Sequence, residues 1–137
     1  MPKSLLALML AMLTITTAFA GAEEKAAQAS AESFLKLIDA EDYSKAYQNC
    51  SALLKEKASE SDFAGPIKGA RAKLGKVTAR KFKSATPMND PQGQKGRFVV
   101  VEFRTDFANQ KGLVERVTPM EEKGAWKVAG YYIVPDR

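Results

Sequence analysis

The spacing of apolar residues changes once along the chain, near residue 76. Before this point, apolar side chains recur every three or four residues, and after it they alternate with polar ones. The first spacing is typical of amphipathic helices and the second of half-buried strands. The sequence therefore predicts helices in the first half of the chain and a sheet in the second.

The first two predicted helices lie on either side of Asp42. The segment 23–41 lacks Gly and Pro and carries its apolar residues on one stripe, which predicts a first helix. Asp42 then offers a side chain suited to capping the start of a helix. Apolar residues continue at helical spacing from Tyr43 to Leu54, so we predict one uninterrupted second helix there.

A third helix is predicted after the polar stretch 57–61, because apolar residues return at helical spacing between Phe63 and Leu74. The Gly-Pro pair at 65–66 is expected in the first turn of this helix or at a kink, since proline interrupts helical hydrogen bonding. Gly75 follows at the position where the end of a helix favours glycine.

The alternating pattern predicts four strands, at 77–85, 98–107, 113–120 and 126–134. Turn-forming residues separate them, at 87–96, 109–112 and 122–124. Short turns link neighbouring strands into an antiparallel meander, and one apolar face of such a sheet is covered by helices. The predicted fold class is therefore α+β, with N-terminal helices packed on a curved four-stranded antiparallel meander.

The start of the chain has the pattern of an export signal. Lys3 is followed by the apolar run 5–13, and Ala18-Phe19-Ala20 fits the small-x-small rule for signal peptidase. We predict cleavage after Ala20, with a cut after Ala22 as the second choice. An uncleaved membrane anchor is the alternative, but no basic stop-transfer group follows the run.

Cleavage there divides the chain into a signal peptide, 1–20, and a single α+β domain, 21–137. The mature domain has about 117 residues, enough for one compact unit and too few for two. We expect it to be periplasmic or secreted, without a transmembrane segment after cleavage.

Composition narrows the possible chemistry. The 137 residues include 45% apolar and 27% charged positions, an ordinary globular balance, with a net charge of +5. The absence of histidine excludes a Ser-His-Asp triad, His-ligated zinc and axial-His haem. The single cysteine, Cys50, excludes an internal disulfide, which leaves an inert core residue or an intermolecular disulfide. We expect no cofactor, no metal and, for an exported protein, no nucleic-acid partner.

Three stretches carry a family resemblance: ARAKLGKVTARKFKSA (70–85), VVVEFRTDFANQKGLVERVT (99–118) and WKVAGYYI (126–133). They resemble the exported bacterial proteins grouped as domain of unknown function 4019, over essentially the whole mature chain. The likeness is most specific at Arg71–Gly75, Phe107–Asn109 and Gly130–Tyr131. The family is uncharacterised, so the resemblance implies a small exported domain and no activity. Its arrangement is similar to the cone-shaped group typified by nuclear transport factor 2, which includes both enzymes and binding proteins.

Two opposite charges fall on apolar faces of the predicted strands. Arg80 shares a face with Phe82, and Glu115 shares one with Leu113. Because an isolated buried charge is very costly, we expect Arg80 and Glu115 to pair. The pair either fixes the strand register or forms the polar centre of a ligand pocket.

The candidate ligand-binding residues are Arg80, Glu115, Tyr47 and Tyr132. Tyr132 is predicted on the inner face of the last strand with Trp126 and Val128, which places Tyr131 on the outer face. Without histidine, Glu115 and a tyrosine form the one acid–base combination available to a pocket of this kind. Tyrosines at such spacing are mostly core residues with a solvated hydroxyl, so we name no catalytic residue.

The segment 68–83 is rich in Lys and Arg and contains no acid. Its candidate anion-binding residues are Lys68, Arg71, Lys73 and Lys76. They suit phosphate or carboxylate groups of envelope polymers or lipid headgroups. The alternative is a solvated helix end, where the helix dipole favours basic residues.

The sequence therefore predicts a non-catalytic binding or accessory module of the cell envelope, with an unidentified ligand or protein partner. One alternative is a structural or interaction protein that forms a homodimer through its sheet. The other is a pocket enzyme that uses Glu115 and a tyrosine.

Overall fold

The computed structural model describes residues 2–89 and 95–137, with side chains from residue 21 onward. The helices are α1 (Pro2–Asp39), α2 (Tyr43–Gln48), α3 (Ala52–Lys57) and α4 (Glu60–Leu74). The strands are β1 (Val77–Asn89), β2 (Arg97–Phe107), β3 (Gln110–Glu122) and β4 (Ala125–Pro135). Within these ranges, no helix combines the length and the apolar character needed to cross a membrane. Cleavage after Ala20 stays a prediction.

The four strands form one antiparallel sheet in the order β1-β2-β3-β4, so each strand pairs with its neighbour in sequence. Helix α1 contacts all four strands across one face of this curved sheet. Apolar residues of α1, α2, α4 and the inner face of the sheet make the main core. The predicted α+β class, with helices on an antiparallel meander, is confirmed.

The prediction of one continuous helix over 43–54 is wrong, because the chain leaves the helix at Cys50. This residue forms an isolated bridge with Val128 of β4, and the Ser51 N–H donates to the Val128 carbonyl at 2.9 Å. Ser51 also caps α3, since its hydroxyl accepts from the Leu54 N–H. The apolar spacing continued through the break because both short helices face the same core.

Cys50 lies inside that core with 3% of its surface exposed. Burial raises the pKa of its thiol to about 12, which keeps the thiol protonated at neutral pH. The structure therefore places Cys50 as a small core residue.

The predicted third helix is confirmed as α4, which begins after the capping residue Ser59. Gly75 ends it with φ of +79°, a left-handed conformation that favours glycine, and its N–H donates to the Arg71 carbonyl. Pro66 lies inside the helix and beyond its first turn, so the first of the two positions predicted for the Gly-Pro pair, the first turn, is wrong.

Two loop boundaries differ from the prediction. Strand β1 continues to Asn89, so the predicted loop 87–96 begins too early, and residues 90–94 lie outside the described residues. The turn between β2 and β3 consists of Ala108 and Asn109 rather than 109–112. Strands β1 and β3 are therefore both longer than the alternation of apolar residues predicted.

A bulge in β4 corrects the predicted orientation of the two final tyrosines. Strand β4 has one extra residue, Ala129, in its pairing with β3. Trp126 and Val128, before the bulge, pack against the core as predicted. After the bulge it is Tyr131, and not the predicted Tyr132, that faces the core. Tyr132 is 64% exposed. The bulge shifts the alternation by one residue, and so it exchanges the faces predicted for Tyr131 and Tyr132.

Candidate functional site

The predicted pairing of Arg80 with Glu115 is confirmed. Glu115 has no exposed surface, and its carboxylate accepts three hydrogen bonds. Arg80 Nε and Thr105 Oγ1 each donate to Oε1 at 2.7 Å. Tyr131 Oη donates to Oε2. The Glu115 carboxylate therefore accepts hydrogen bonds from one cation and from two neutral donors.

The sheet register brings these side chains together. Arg80 on β1 lies opposite Thr105 on β2, and Glu115 on β3 lies opposite Phe103, two residues from Thr105 along β2. Inner-face residues on neighbouring antiparallel strands stand within reach of one another at such positions. Tyr131 reaches the same carboxylate from β4 because the Ala129 bulge turns it inward.

Asp39, the last residue of α1, joins the cluster from the helical layer. Its carboxylate accepts from Arg71 Nη2 at 2.7 Å, and from Arg80 Nη1 and Nη2 at 2.8 and 3.1 Å. The charge cluster consists of Asp39, Arg71, Arg80, Thr105, Glu115 and Tyr131. Its two acids and two arginines balance, which is how a protein accommodates charges at low exposure.

Arg71 has one guanidinium nitrogen without a hydrogen-bond partner. Its side chain is 10% exposed, and Nη1 is the buried unpartnered side-chain atom found among the described residues. That nitrogen lies 3.9 Å from Glu115 Oε2, beyond hydrogen-bond distance. The guanidinium lies over the Phe107 ring, 5.2 Å from its centroid, in a cation–π contact.

The contacts of the cluster fix the protonation of Asp39 and Tyr131 at neutral pH. Burial alone would raise the pKa of Asp39, but hydrogen bonds from Arg80 and Arg71 outweigh it and lower that pKa below its usual value. Burial and the neighbouring Glu115 raise the pKa of Tyr131 far above its usual value. Asp39 is therefore ionised, and Tyr131 keeps the proton that it donates to Glu115.

A cleft of about 650 Å³ opens beside this cluster, between the end of α1, the start of α2, helix α4 and the two residues before β1. Asp39 and Arg71 lie on its wall together with Lys68 and Lys76. The ammonium of Lys68 lies 5.3 Å from the centroid of the Tyr43 ring, which also lines the cleft. Neither Lys68 nor Lys76 forms an ion pair with any carboxylate of the described residues.

Three residues predicted for the site lie apart from the cleft and the cluster. The Tyr47 hydroxyl donates to the Ala58 carbonyl at 2.7 Å, at the end of α3. Tyr132 is exposed on the outer face of the sheet. Lys73 is exposed on α4 and does not line the cleft. Of the predicted residues, the structure brings Arg80 and Glu115 into the cluster, and Lys68 and Lys76 to the cleft, while Arg71 belongs to both.

Three members of the cluster, Asp39, Thr105 and Tyr131, were not among the residues predicted for the site from the sequence. A signal was present for Asp39, because it follows Leu35 by four residues and so continues the buried stripe of α1. A carboxylate on such a stripe needs a cationic partner, and Arg71 and Arg80 were already candidates. No local pattern marks Tyr131, whose position depends on the bulge.

A family model described as a protein of unknown function (DUF4019) matches residues 30–131. The chain belongs to this family. The matched span contains every residue of the charge cluster, from Asp39 to Tyr131, as well as Lys68 and Lys76 of the cleft. No curated protein matches the chain.

Proposed function

We propose that this DUF4019 protein is an exported, non-catalytic binding module of the cell envelope that takes an anionic ligand in the cleft. The observation behind this proposal is that two lysines, Lys68 and Lys76, lie on the wall of a cleft that also contains Arg71 and form no ion pair with any described carboxylate. Its volume of about 650 Å³ lies within the range of small-molecule sites.

The charges around the cleft favour an anion. Lys68, Arg71 and Lys76 contribute three positive charges, and the carboxylates on the same wall are Asp39 and Glu41. Asp39 is already engaged by two guanidinium groups, so its charge is largely compensated. The lysines therefore present positive charge to solvent, which raises the local concentration of anions and their association rate.

The state of the carboxylates supports a binding role over an enzymatic one. General acid catalysis near neutral pH requires a carboxyl group whose pKa is raised. Hydrogen bonds from the arginines lower the pKa of Asp39, despite its burial. Glu115 has no exposed surface, and its oxygens already accept from three donors. Both groups are arranged to hold arginines in place.

The outer face of the sheet gives less support to a homodimer through the sheet. It carries three ion pairs: Arg116 with Glu102, Lys83 with Asp136, and Arg104 with Asp136. The bulge replaces Tyr131 on that face with the exposed Tyr132, so the face combines one exposed tyrosine with these charged groups. Desolvating charged groups in a dimer interface is costly, whereas a small anion in the cleft leaves this face in water.

The burial of residues along α1 supports export with cleavage after Ala20. In the part of α1 with described side chains, burial in the core begins at Ala27 and continues to Ile38. A cut after Ala20 would leave these residues and Asp39 in the mature domain. The proposed cleavage therefore preserves both the core and the charge cluster.

Alanine substitutions at three lysines test the anion site. Lys68→Ala and Lys76→Ala should each weaken binding of succinate about fivefold, or roughly 1 kcal/mol, since each removes a cation near the ligand. Lys73→Ala is the matched control, on the same helix as Lys68 but away from the cleft, and should change affinity by less than about twofold. Calorimetric titration at constant ionic strength measures the affinities.

Equal losses for all three lysines would show a general charge effect and contradict a site in the cleft. Absence of succinate binding to the unsubstituted protein at millimolar concentrations would do the same.

A further inference from the structure

We propose that Arg71, on the wall of the cleft, and Arg80, which donates to the same carboxylate, form a carboxylate subsite beside the cleft, and that Asp39 occupies it in the free protein. The Asp39 side chain is then an intramolecular substitute for the carboxylate of the ligand. This inference rests on the proposed function, because it names the chemical group that the cleft recognises.

The hydrogen bonds to Asp39 are those expected for a bound carboxylate. Arg80 donates through both terminal nitrogens, one to each carboxylate oxygen, at 2.8 and 3.1 Å. Arg71 adds a third donor to Oδ1 at 2.7 Å. A planar guanidinium that donates in parallel to both oxygens matches a carboxylate in shape as well as charge.

The two guanidinium groups are held in place by contacts that do not involve Asp39. Arg80 Nε donates to Glu115, which is itself fixed by Thr105 and Tyr131. The guanidinium of Arg71 lies over the Phe107 ring. Removal of the Asp39 carboxylate therefore leaves an oriented pair of cations without its anion.

Asp39 is the member of this network that can leave. Its side chain is 34% exposed, whereas the Glu115 side chain has no exposure. The backbone after Asp39 is closed by its own hydrogen bonds, from the Glu41 N–H to Ile38 and from the Asp42 N–H to Leu37. Rotation of the side chain into the cleft is sufficient to free both arginines while α1 stays intact.

Asp39 acts as an internal competitor for the subsite. The apparent affinity for the ligand is therefore the intrinsic affinity multiplied by the fraction of molecules in which Asp39 has left the subsite. Lys68 and Lys76 lie further along the cleft wall, where they reach the remainder of a larger acid. A small monocarboxylate such as acetate fits the subsite alone, and so it probes the arginine pair separately from the lysines.

The Asp39→Ala variant tests whether a free carboxylate can take the place of the Asp39 side chain between the two arginines. In chloride at pH 7 the variant should melt at a lower temperature than the unsubstituted protein, because Arg71 and the terminal nitrogens of Arg80 lose their acceptor. Acetate at the same ionic strength should raise the melting temperature of the variant well above its value in chloride. Acetate should also bind the variant at least about tenfold more tightly than the unsubstituted protein, since the competitor has been removed.

Asp136→Ala is the matched control, because Asp136 also accepts from two cations, Lys83 and Arg104, but on the outer face. The melting temperature of this variant should be the same in acetate as in chloride at equal ionic strength. If Asp39→Ala does not fold in chloride, the yield of folded protein in acetate is compared with that in chloride. Recovery in acetate supports the subsite, and equal yields contradict it.

Equal acetate affinity for Asp39→Ala and the unsubstituted protein would overturn the inference, as would equal rescue by phosphate and acetate at matched charge. These outcomes leave the lysine substitutions unaffected. Loss of succinate affinity in Lys68→Ala without tighter acetate binding in Asp39→Ala would keep the anion cleft and remove the carboxylate subsite.

Discussion

Glu115→Ala is expected to lower the free energy of unfolding by about 3–5 kcal/mol, the cost of breaking a buried ion pair. The substitution removes the acceptor of Arg80, Thr105 and Tyr131 together, and two of these donors have no other partner in the cluster. Arg80 keeps Asp39, which limits the cost. Urea denaturation of the purified protein measures the difference.

Arg80→Ala should cost about 3 kcal/mol by the same physical cause, since the buried Glu115 loses its nearest cation. The double variant should be less destabilised than the sum of the two single variants, by at least about 1 kcal/mol, because no unpaired charge remains. Glu102→Ala and Arg116→Ala provide the control, as an ion pair on the outer face that contributes about 0–1 kcal/mol. Small and additive effects at Arg80 and Glu115 would show that the pair is solvated.

Phe107→Ala is the second substitution with a large expected effect, a loss of about 3–5 kcal/mol. Phe107 has no exposed surface, and its ring supports the guanidinium of Arg71. Phe82→Ala is the matched control on the neighbouring strand, where the ring is 47% exposed, and it should cost about 1 kcal/mol or less.

Both phenylalanine variants are measured by urea denaturation under the same conditions. A cost below about 1 kcal/mol for Phe107→Ala would mean that the site repacks easily and that Arg71 does not depend on the ring. The Phe107 variant should also bind succinate more weakly, because its Arg71 is less well oriented.

The sequence was sufficient to predict the pairing of Arg80 with Glu115. Strand alternation placed each residue on the inner face, and the cost of an isolated buried charge required that they meet. That inference depends only on local period and on electrostatics. The local period holds at both residues, because the pairing with β2 is regular from Ala79 to Phe82 around Arg80 and from Leu113 to Val117 around Glu115. The α+β class followed in the same way from the change of period near residue 76.

The errors occurred where a non-local contact overrides the local pattern. Helical spacing continued through Cys50, yet the pairing of Ser51 with Val128 of β4 breaks the helix there. Ala129 bulges out of β4 and thereby exchanges the faces of Tyr131 and Tyr132. A single extra residue reverses the inner or outer face assigned to every later residue in the strand. The local sequence around Ala129 gives no sign of such a bulge.

The membership of the cluster depends on tertiary structure in a further way. Asp39 and Arg71 come from different helices, 32 residues apart, and they meet only because α1 and α4 both end beside the start of β1. The sequence supplied the charges and their faces. The fold alone determines that four of these charges share one site. It also places Lys68 and Lys76 beside that site, without an ion pair to any carboxylate in the described part of the chain.

Binding of a small carboxylate in the cleft is tested most directly by an NMR titration. Two-dimensional ¹H–¹⁵N spectra of the protein are recorded with increasing succinate at constant ionic strength and pH. The largest shifts are expected at the backbone amides of Lys68, Gly75 and Lys76 and at the Nε–H of Arg80. Shifts spread over the outer face of the sheet, or none at tens of millimolar succinate, would contradict the proposed site.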